Sequence, residues 1–152
     1  NGGGSNTVVE PILGYFTGGI MGHFVSRQDE RPLTIHANEI NGSQEIPLVV
    51  LVGSGSASFG EIFSGVLQDS GRAYIIGTNT GGNVEILWGY DFDDGSQMWL
   101  ASETFRPYYH PEQNWEADGI VPDEIVPGEF DEHSLENDPP VIAAITYFSS
   151  LP

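Results

Sequence analysis

The chain has 152 residues, and its 22 acidic residues against 4 basic ones give a net charge of −18. That length allows one domain with a single core, so we expect one functional site. The negative charge argues against nucleic acid and anionic membranes as partners, because both would repel the chain. Without cysteine, disulfides, thiol nucleophiles and thiolate metal sites are excluded. No apolar run reaches the roughly 20 residues that span a bilayer, so we expect no membrane insertion by this segment.

The first half of the chain predicts a helix followed by three strands. Ser5 or Asn6 can cap a helix whose apolar residues recur every three or four positions as far as Phe16. The apolar, β-branched third strand is typical of a parallel sheet buried on both faces. These strands are predicted at 20–26, 33–37 and 47–52.

The second half continues with a helix at 59–68 and a strand at 73–77. Strand, helix and strand together predict an α/β fold with a right-handed crossover. A β-hairpin follows at 84–106, with the sequence DFDDGS as its turn. The proline-spaced stretch after it favours a structured loop over a helix, and a last short helix begins at Pro139 or Pro140.

The N-terminal sequence NGGGSNT is neither basic nor followed by a signal-type apolar segment. We therefore expect a piece of a longer polypeptide, with any targeting signal upstream. Residues 128–152 are expected to form an acidic linker and the terminal helix. The acidic composition, without lysine or cysteine, favours an extracytoplasmic location.

Three serines, Ser54, Ser56 and Ser58, lie at the start of the helix predicted at 59–68. A serine in this position can cap the helix by accepting a free backbone N–H. It can also be a nucleophile, because the same N–H groups would stabilise a developing oxyanion. The residue pattern alone leaves both interpretations open.

Four ordered segments resemble the carboxyl-terminal processing (tail-specific) protease family. They are NGGGSN, PLVVLVGSGSASFGEIFSGVLQDSGRAYIIG, DDGS and DGIVPDEIVP. The resemblance implies that Ser58 is the nucleophile and that the backbone N–H groups of Phe59 and Gly3 form the oxyanion hole. It also implies an α/β core of β-β-α units, similar to the crotonase and caseinolytic-protease folds, with this chain as the C-terminal part of the peptidase core.

The chain departs from the serine-lysine branch of that family. Asn83 stands where this branch has its catalytic lysine, and the chain contains no lysine at all. An amide cannot act as a base near neutral pH. The sequences TGG at 80–82 and NWEADGIVPD are more similar to the branch that includes the tricorn core protease and the retinoid-binding-protein-like domains.

The tricorn-like resemblance implies a serine, histidine and glutamate mechanism, with Glu116 as the carboxylate and a base histidine upstream of this chain. His110, in the loop before Glu116, is the local alternative base. His23 and His36 lie on predicted strands, and His133 lies in the acidic stretch, so these three are set aside. The turn DFDDGS lacks the full ligand set of a calcium loop. We expect no metal and no cofactor.

The leading hypothesis is a serine endopeptidase domain that cleaves peptides or protein tails through an acyl-enzyme on Ser58. Alone, this piece should be inactive, because its base would be missing. One alternative is an inactive relative that binds a peptide or an apolar ligand in the same cleft. Another is a structural domain whose acidic surface maintains solubility. The expected partner is a peptide or protein substrate, and the sequence leaves a homo-oligomer open.

Overall fold

The computed structural model describes residues 1–128 and 136–152 and contains both helices and strands. The predicted mixed α/β class is therefore confirmed. In chain order the elements are α1 (Asn6–Leu13), β1 (Gly19–Val25), β2 (Glu30–Ile35), β3 (Val49–Val52), α2 (Phe59–Asp69), β4 (Tyr74–Gly77), β5 (Ile86–Asp91), β6 (Gln97–Pro107), α3 (Trp115–Asp118), β7 (Glu124–Ile125) and α4 (Pro139–Ser150). Within the described residues, no helix has the length and apolar character needed to cross a membrane.

The strands form two sheets of different kinds. An antiparallel sheet has the order β2-β1-β6-β5, and a parallel sheet has the order β3-β4-β7. The predicted strand-helix-strand unit is β3-α2-β4, in which Val49 to Val52 pair with Tyr74 to Gly77. The predicted hairpin is formed by β5 and β6, and Gly95 takes a φ of 83° in its turn. Glycine adopts this conformation without steric cost.

Helix α2 carries the core side chains that both sheets share. Ile62 and Val66 are fully buried, and the ring of Phe59 lies 6.1 Å from the ring of Phe24 on β1. A Cβ atom at Gly65 would lie 2.7 Å from Trp115 and from Ile120, so only glycine lets the helix approach this closely. The packing fixes the position of the α2 N-terminus relative to the loop that contains α3.

Arg72, just after α2, links that helix to two other segments, one between α1 and β1 and one between β2 and β3. Its guanidinium donates to the backbone carbonyl oxygens of Phe16, Ser43 and Ile46 at 2.6–3.0 Å. Burial lowers the pKa of Arg72 from its ordinary value. The half-buried Arg72 side chain therefore acts as a structural link between these segments.

Two sequence predictions are wrong in part. Strand β3 is not buried on both faces: Leu51 is 43% exposed, because β3 is an edge strand with a groove beside it. The loop after β6 contains the four-residue helix α3, capped by the Asn114 side chain, and the short strand β7. Most of the acidic linker, at 129–135 and including His133, lies outside the described residues.

Candidate active site

Ser58 occupies a sharp turn between β3 and the first residue of α2. Its backbone has φ 56° and ψ −130°, a conformation that costs a non-glycine residue about 1–3 kcal/mol. The backbone N–H of Ser58 donates to the carbonyl oxygen of Asn83 at 2.7 Å. Ser58 is the N-cap residue and is arranged with Glu61 as in a capping box. The N–H of Glu61 nevertheless donates to the Ser58 carbonyl oxygen at 2.9 Å, and the Ser58 hydroxyl makes no side-chain cap hydrogen bond. A strained turn with an uncapped hydroxyl suits a nucleophile better than a cap.

Ser56 has a different role from Ser58. Its backbone N–H donates to the carbonyl oxygen of Gly53 at 2.8 Å, and its hydroxyl accepts from the Gly53 N–H at 3.3 Å. Its carbonyl oxygen accepts the N–H of Gly81 at 2.8 Å. Ser56 therefore shapes the turn.

The N-terminal glycines pack directly on the Ser58 turn. Gly3 has φ 92°, and a Cβ atom there would lie 2.6 Å from the Ser58 Cβ and 3.0 Å from the Phe59 nitrogen. The N–H of Gly3 donates to the side chain of Asn1 at 3.0 Å. Across the described residues the Phe59 N–H has no hydrogen-bond partner. One of the two predicted oxyanion donors is therefore free, and the other is engaged by Asn1.

Glu61 is a central residue of the site for which the sequence indicated no role. Its side chain is fully buried and accepts four hydrogen bonds. One oxygen accepts the Thr80 hydroxyl at 2.5 Å and the Gly82 N–H at 2.7 Å, and the other accepts the N–H groups of Asn83 at 2.8 Å and Ser58 at 3.1 Å. The serine-x-x-glutamate spacing of a capping box is the signal that could have indicated this role.

Asn83 contacts the Ser58 turn through its backbone. Its carbonyl oxygen accepts the Ser58 N–H, and its own N–H donates to Glu61. Glu61 thus joins the loop at 80–83 to the turn that holds Ser58. Asn83 therefore contributes to this site through backbone hydrogen bonds.

Glu116 lies beside the same loop, on α3. One carboxylate oxygen accepts the backbone N–H groups of Val84 at 2.7 Å and Glu85 at 3.1 Å. Gly82 lies against it, since a Cβ atom at Gly82 would be 3.0 Å from the Glu116 carbonyl oxygen. The second carboxylate oxygen accepts no hydrogen bond from the described residues. Glu116 is therefore held by one oxygen and can still orient a donor with the other.

The structure does not bring His110 to Ser58. Its ring Nδ1 lies 2.7 Å from the buried carboxylate of Asp69, which also accepts the backbone N–H groups of Tyr109 and His110. Asp69 is the last residue of α2, whereas Ser58 precedes the first. Eleven residues at about 1.5 Å per residue separate the two helix ends by roughly 16 Å.

The other two described histidines have different surroundings. His23 lies beside Glu30, with 3.7 Å between the ring Nδ1 and the carboxylate, and near the ring of Tyr108. His36 is exposed just after β2. Within the described residues, neither histidine is hydrogen-bonded to Ser58.

An apolar groove of about 450 Å³ opens beside Gly3 and Phe59. The side chains that line it come from α1, β3 and α2, among them Val8, Ile12, Leu51, Val52 and Phe63. Apolar grooves with a few polar groups at one end are typical of ligand-binding sites. The groove is therefore placed to receive an apolar side chain next to Ser58.

Comparison with known proteins identifies relatives of this chain. The sequence model of Peptidase family S41 matches residues 1–126. Carboxyl-terminal-processing peptidase 3, chloroplastic, from Arabidopsis thaliana is 40% identical over 99 residues, which cover 62% of this chain and 18% of that protein. The chain spans about a fifth of the length of the curated relatives it matches, 20% and 18% for two of them.

Solved structures resemble the fold. The photosystem II D1 C-terminal processing protease has a TM-score of 0.70 and 29% identity, covering 83% of this chain and 32% of its own. The tricorn protease has a TM-score of 0.67 and 20% identity, covering 95% of this chain and 14% of its own. At that identity the second match carries information on the fold alone.

Proposed function

The chain belongs to peptidase family S41, and on that premise we propose that the intact protein is a serine endopeptidase with Ser58 as its nucleophile. The observation that carries this proposal is the geometry of Ser58. Its hydroxyl is uncapped on a strained turn, beside the unpartnered N–H of Phe59. The substrate is a peptide or a protein tail.

In the proposed reaction the Ser58 oxygen attacks the carbonyl carbon of the scissile peptide bond, and a base takes the hydroxyl proton. The C–N bond then breaks, the base returns the proton to the leaving amine, and an ester remains on Ser58. Water hydrolyses this ester and releases the acid. Glu116 orients the base and stabilises its protonated form through the oxygen that accepts no backbone N–H.

The oxyanion hole of this proposal contains the Phe59 and Gly3 N–H groups. The Phe59 N–H lies at the positive end of α2, where negative charge is stabilised. The Gly3 N–H would first have to release the side chain of Asn1. Substrate binding would therefore involve a local rearrangement of the N-terminal residues.

The base is proposed to be a histidine outside these 152 residues. No lysine is present, Asn83 is an amide, and His110 is bound to Asp69 at the opposite end of α2. A histidine from another part of the protein, oriented by Glu116, completes the serine, histidine and glutamate set of the tricorn-like branch. This assignment also accounts for the expected inactivity of the piece on its own.

The proposal extends to domain organisation and location. Residues 1–152 form the C-terminal part of a peptidase core built from β-β-α units, like the crotonase and caseinolytic-protease folds. The parallel unit β3-α2-β4 and the exposed edge of β3 are compatible with this arrangement. An extracytoplasmic or lumenal location is supported by a relative whose name places it in the chloroplast.

Peptide cleavage by the intact protein tests the function. The proposal predicts that Ser58→Ala abolishes cleavage, whereas Ser56→Ala, the matched control in the same turn, retains it. If the intact protein cleaves no peptide, or if Ser58→Ala cleaves as well as the unaltered protein, the proposed function is wrong. Cleavage by the isolated 152-residue piece would show that the base lies within it.

A further inference from the structure

The β5-β6 hairpin exposes a large apolar face on a protein with a net charge of −18. Trp88 pairs with Leu100 and Tyr90 with Met98 across the ladder, so these four side chains point to the same side. Their exposed fractions range from 41% to 59%. Contiguous exposed apolar side chains of this size are typical of interaction surfaces.

The hairpin also has a free backbone edge. β5 is the last strand in the order β2-β1-β6-β5, so among the described residues it pairs only with β6. The N–H of Phe92 donates to the Ser96 carbonyl at 2.9 Å, which makes this pair a hydrogen-bonded one. The alternation of an antiparallel ladder then directs the N–H and C=O groups of Leu87, Gly89 and Asp91 away from β6. These groups are available to another strand.

The free edge is continuous with the Ser58 turn. Asn83, whose carbonyl oxygen accepts the Ser58 N–H, precedes the first residue of β5 by three positions. Six residues at about 3.4 Å each give β5 a length of roughly 20 Å. A chain that pairs with β5 can therefore extend from the nucleophile over about six residues.

Charge favours a basic occupant and opposes a second copy. Asp91, Asp93 and Asp94 lie at the hairpin turn. Arg31 and Arg106 are already paired with Glu103 and Glu30. Two copies, each with a net charge of −18, would bring acidic surfaces together. A peptide that carries lysine or arginine meets complementary charge at this turn.

From this edge and its charge, we propose that β5 binds the substrate polypeptide as an added strand. Apolar side chains at alternate substrate positions contact Trp88 and Tyr90, and a basic residue lies beside the acidic turn. This inference rests on the proposed function and specifies its substrate class. Backbone hydrogen bonds supply affinity, and the side chains of alternate positions supply selectivity.

Binding is measured separately from cleavage, with the intact protein carrying Ser58→Ala. The probes are two dye-labelled ten-residue peptides of alternating valine and serine, one with a lysine pair at its N-terminus and one with the pair at its C-terminus. Their binding is measured by fluorescence anisotropy. A series with one N-methylated amide per peptide tests the pairing. Methylation of an amide whose N–H faces β5, which is every second amide, should weaken binding roughly five- to tenfold. Methylation of the amides between them should change binding little.

Matched variants identify the surface. Trp88→Ala and Tyr90→Ala, on the edge strand, should weaken binding at least as much as one methylated amide does. Met98→Ala and Leu100→Ala, on the same face but one strand further in, should weaken it less. Affinity should fall with added salt and when serines replace the lysine pair.

Any of three results would overturn the inference. Neither unmodified peptide binds, or methylation weakens binding without an alternating pattern, or the β6 variants Met98→Ala and Leu100→Ala weaken binding as much as the β5 variants do. A shift of the protein from dimer to monomer by Trp88→Ala in sedimentation, with peptide binding unchanged, would assign the face to a second copy. If the peptides bind with the alternating pattern but the unaltered protein cleaves no peptide, the proposed function is refuted and β5 remains a peptide-binding edge that does not serve cleavage.

Discussion

The backbone N–H of Ser58 donates to the buried carboxylate of Glu61 at 3.1 Å, three residues further along the chain. The same carboxylate holds the loop at 80–83, so one side chain fixes the turn and the loop that contacts it. Strained backbone conformations persist only where the surroundings determine them. The fully buried side chain of Glu61 holds Ser58 in its strained conformation.

Glu61→Gln should destabilise the protein by about 2–4 kcal/mol, because an amide group would face two of the four donors and hydrogen bonds to charged groups are worth about 1.5–3 kcal/mol each. Urea unfolding of the intact protein measures this loss. Glu112→Gln, on an exposed residue, is the control and should change little. An equally small effect of both substitutions would show that Glu61 does not hold the turn.

Gly3→Ala should lower kcat/KM by about 10²-fold, the magnitude that the loss of one oxyanion donor produces. The added Cβ would lie 2.6 Å from the Ser58 Cβ, and φ 92° is unfavourable for alanine. Gly2→Ala is the matched control, since nothing lies within 4 Å of its added Cβ. Equal peptide cleavage by the two variants would refute the close packing of Gly3 on Ser58.

Glu116→Gln should lower kcat by about 10²–10⁴-fold with little change in KM, since it removes the charge that orients and stabilises a protonated base. Steady-state peptide cleavage by the intact protein separates the two parameters. Asp118→Asn, on the same short helix, is the control and should retain activity. If KM rises while kcat stays constant, Glu116 acts in binding or folding.

Alkaline pH should weaken the docking of α4. The rings of Tyr74 and Tyr147 stack with centroids 4.4 Å apart, and burial, followed by Glu124 and Asp123, raises the pKa of Tyr74 above its ordinary value of 10. A raised folded-state pKa gives stability that is present below pH 10 and is lost as the pH rises through the folded-state pKa. Between pH 8 and pH 11, Tyr74→Phe should therefore lose less unfolding free energy than the unaltered protein. An equal loss in urea titrations would contradict this.

The elements with strong local signals could be predicted from the sequence. The apolar period of α1, the turn residues of the β5-β6 hairpin and the strand-helix-strand unit around Ser58 are local patterns, and the structure has each of them. The burial of β3 could not be predicted, because it depends on what lies beside the edge of the sheet. Helix α3 was missed because four residues carry too little periodicity.

The candidate site was likewise predictable from the sequence only in part. The position of Ser58 at the start of α2 follows from local sequence. The contacts of Glu61 with Thr80, Gly82 and Asn83 join residues about 20 positions apart, so only the folded chain shows them. The distance of His110 from Ser58 likewise depends on the length of α2 and on the buried carboxylate of Asp69.

The nucleophilic role of Ser58 is tested most directly by labelling the intact protein with a fluorophosphonate and mapping the adduct by mass spectrometry. We expect modification of Ser58, loss of labelling in Ser58→Ala and unchanged labelling in Ser56→Ala. Absence of an adduct on the intact protein, or an adduct on another serine that survives Ser58→Ala, would contradict it.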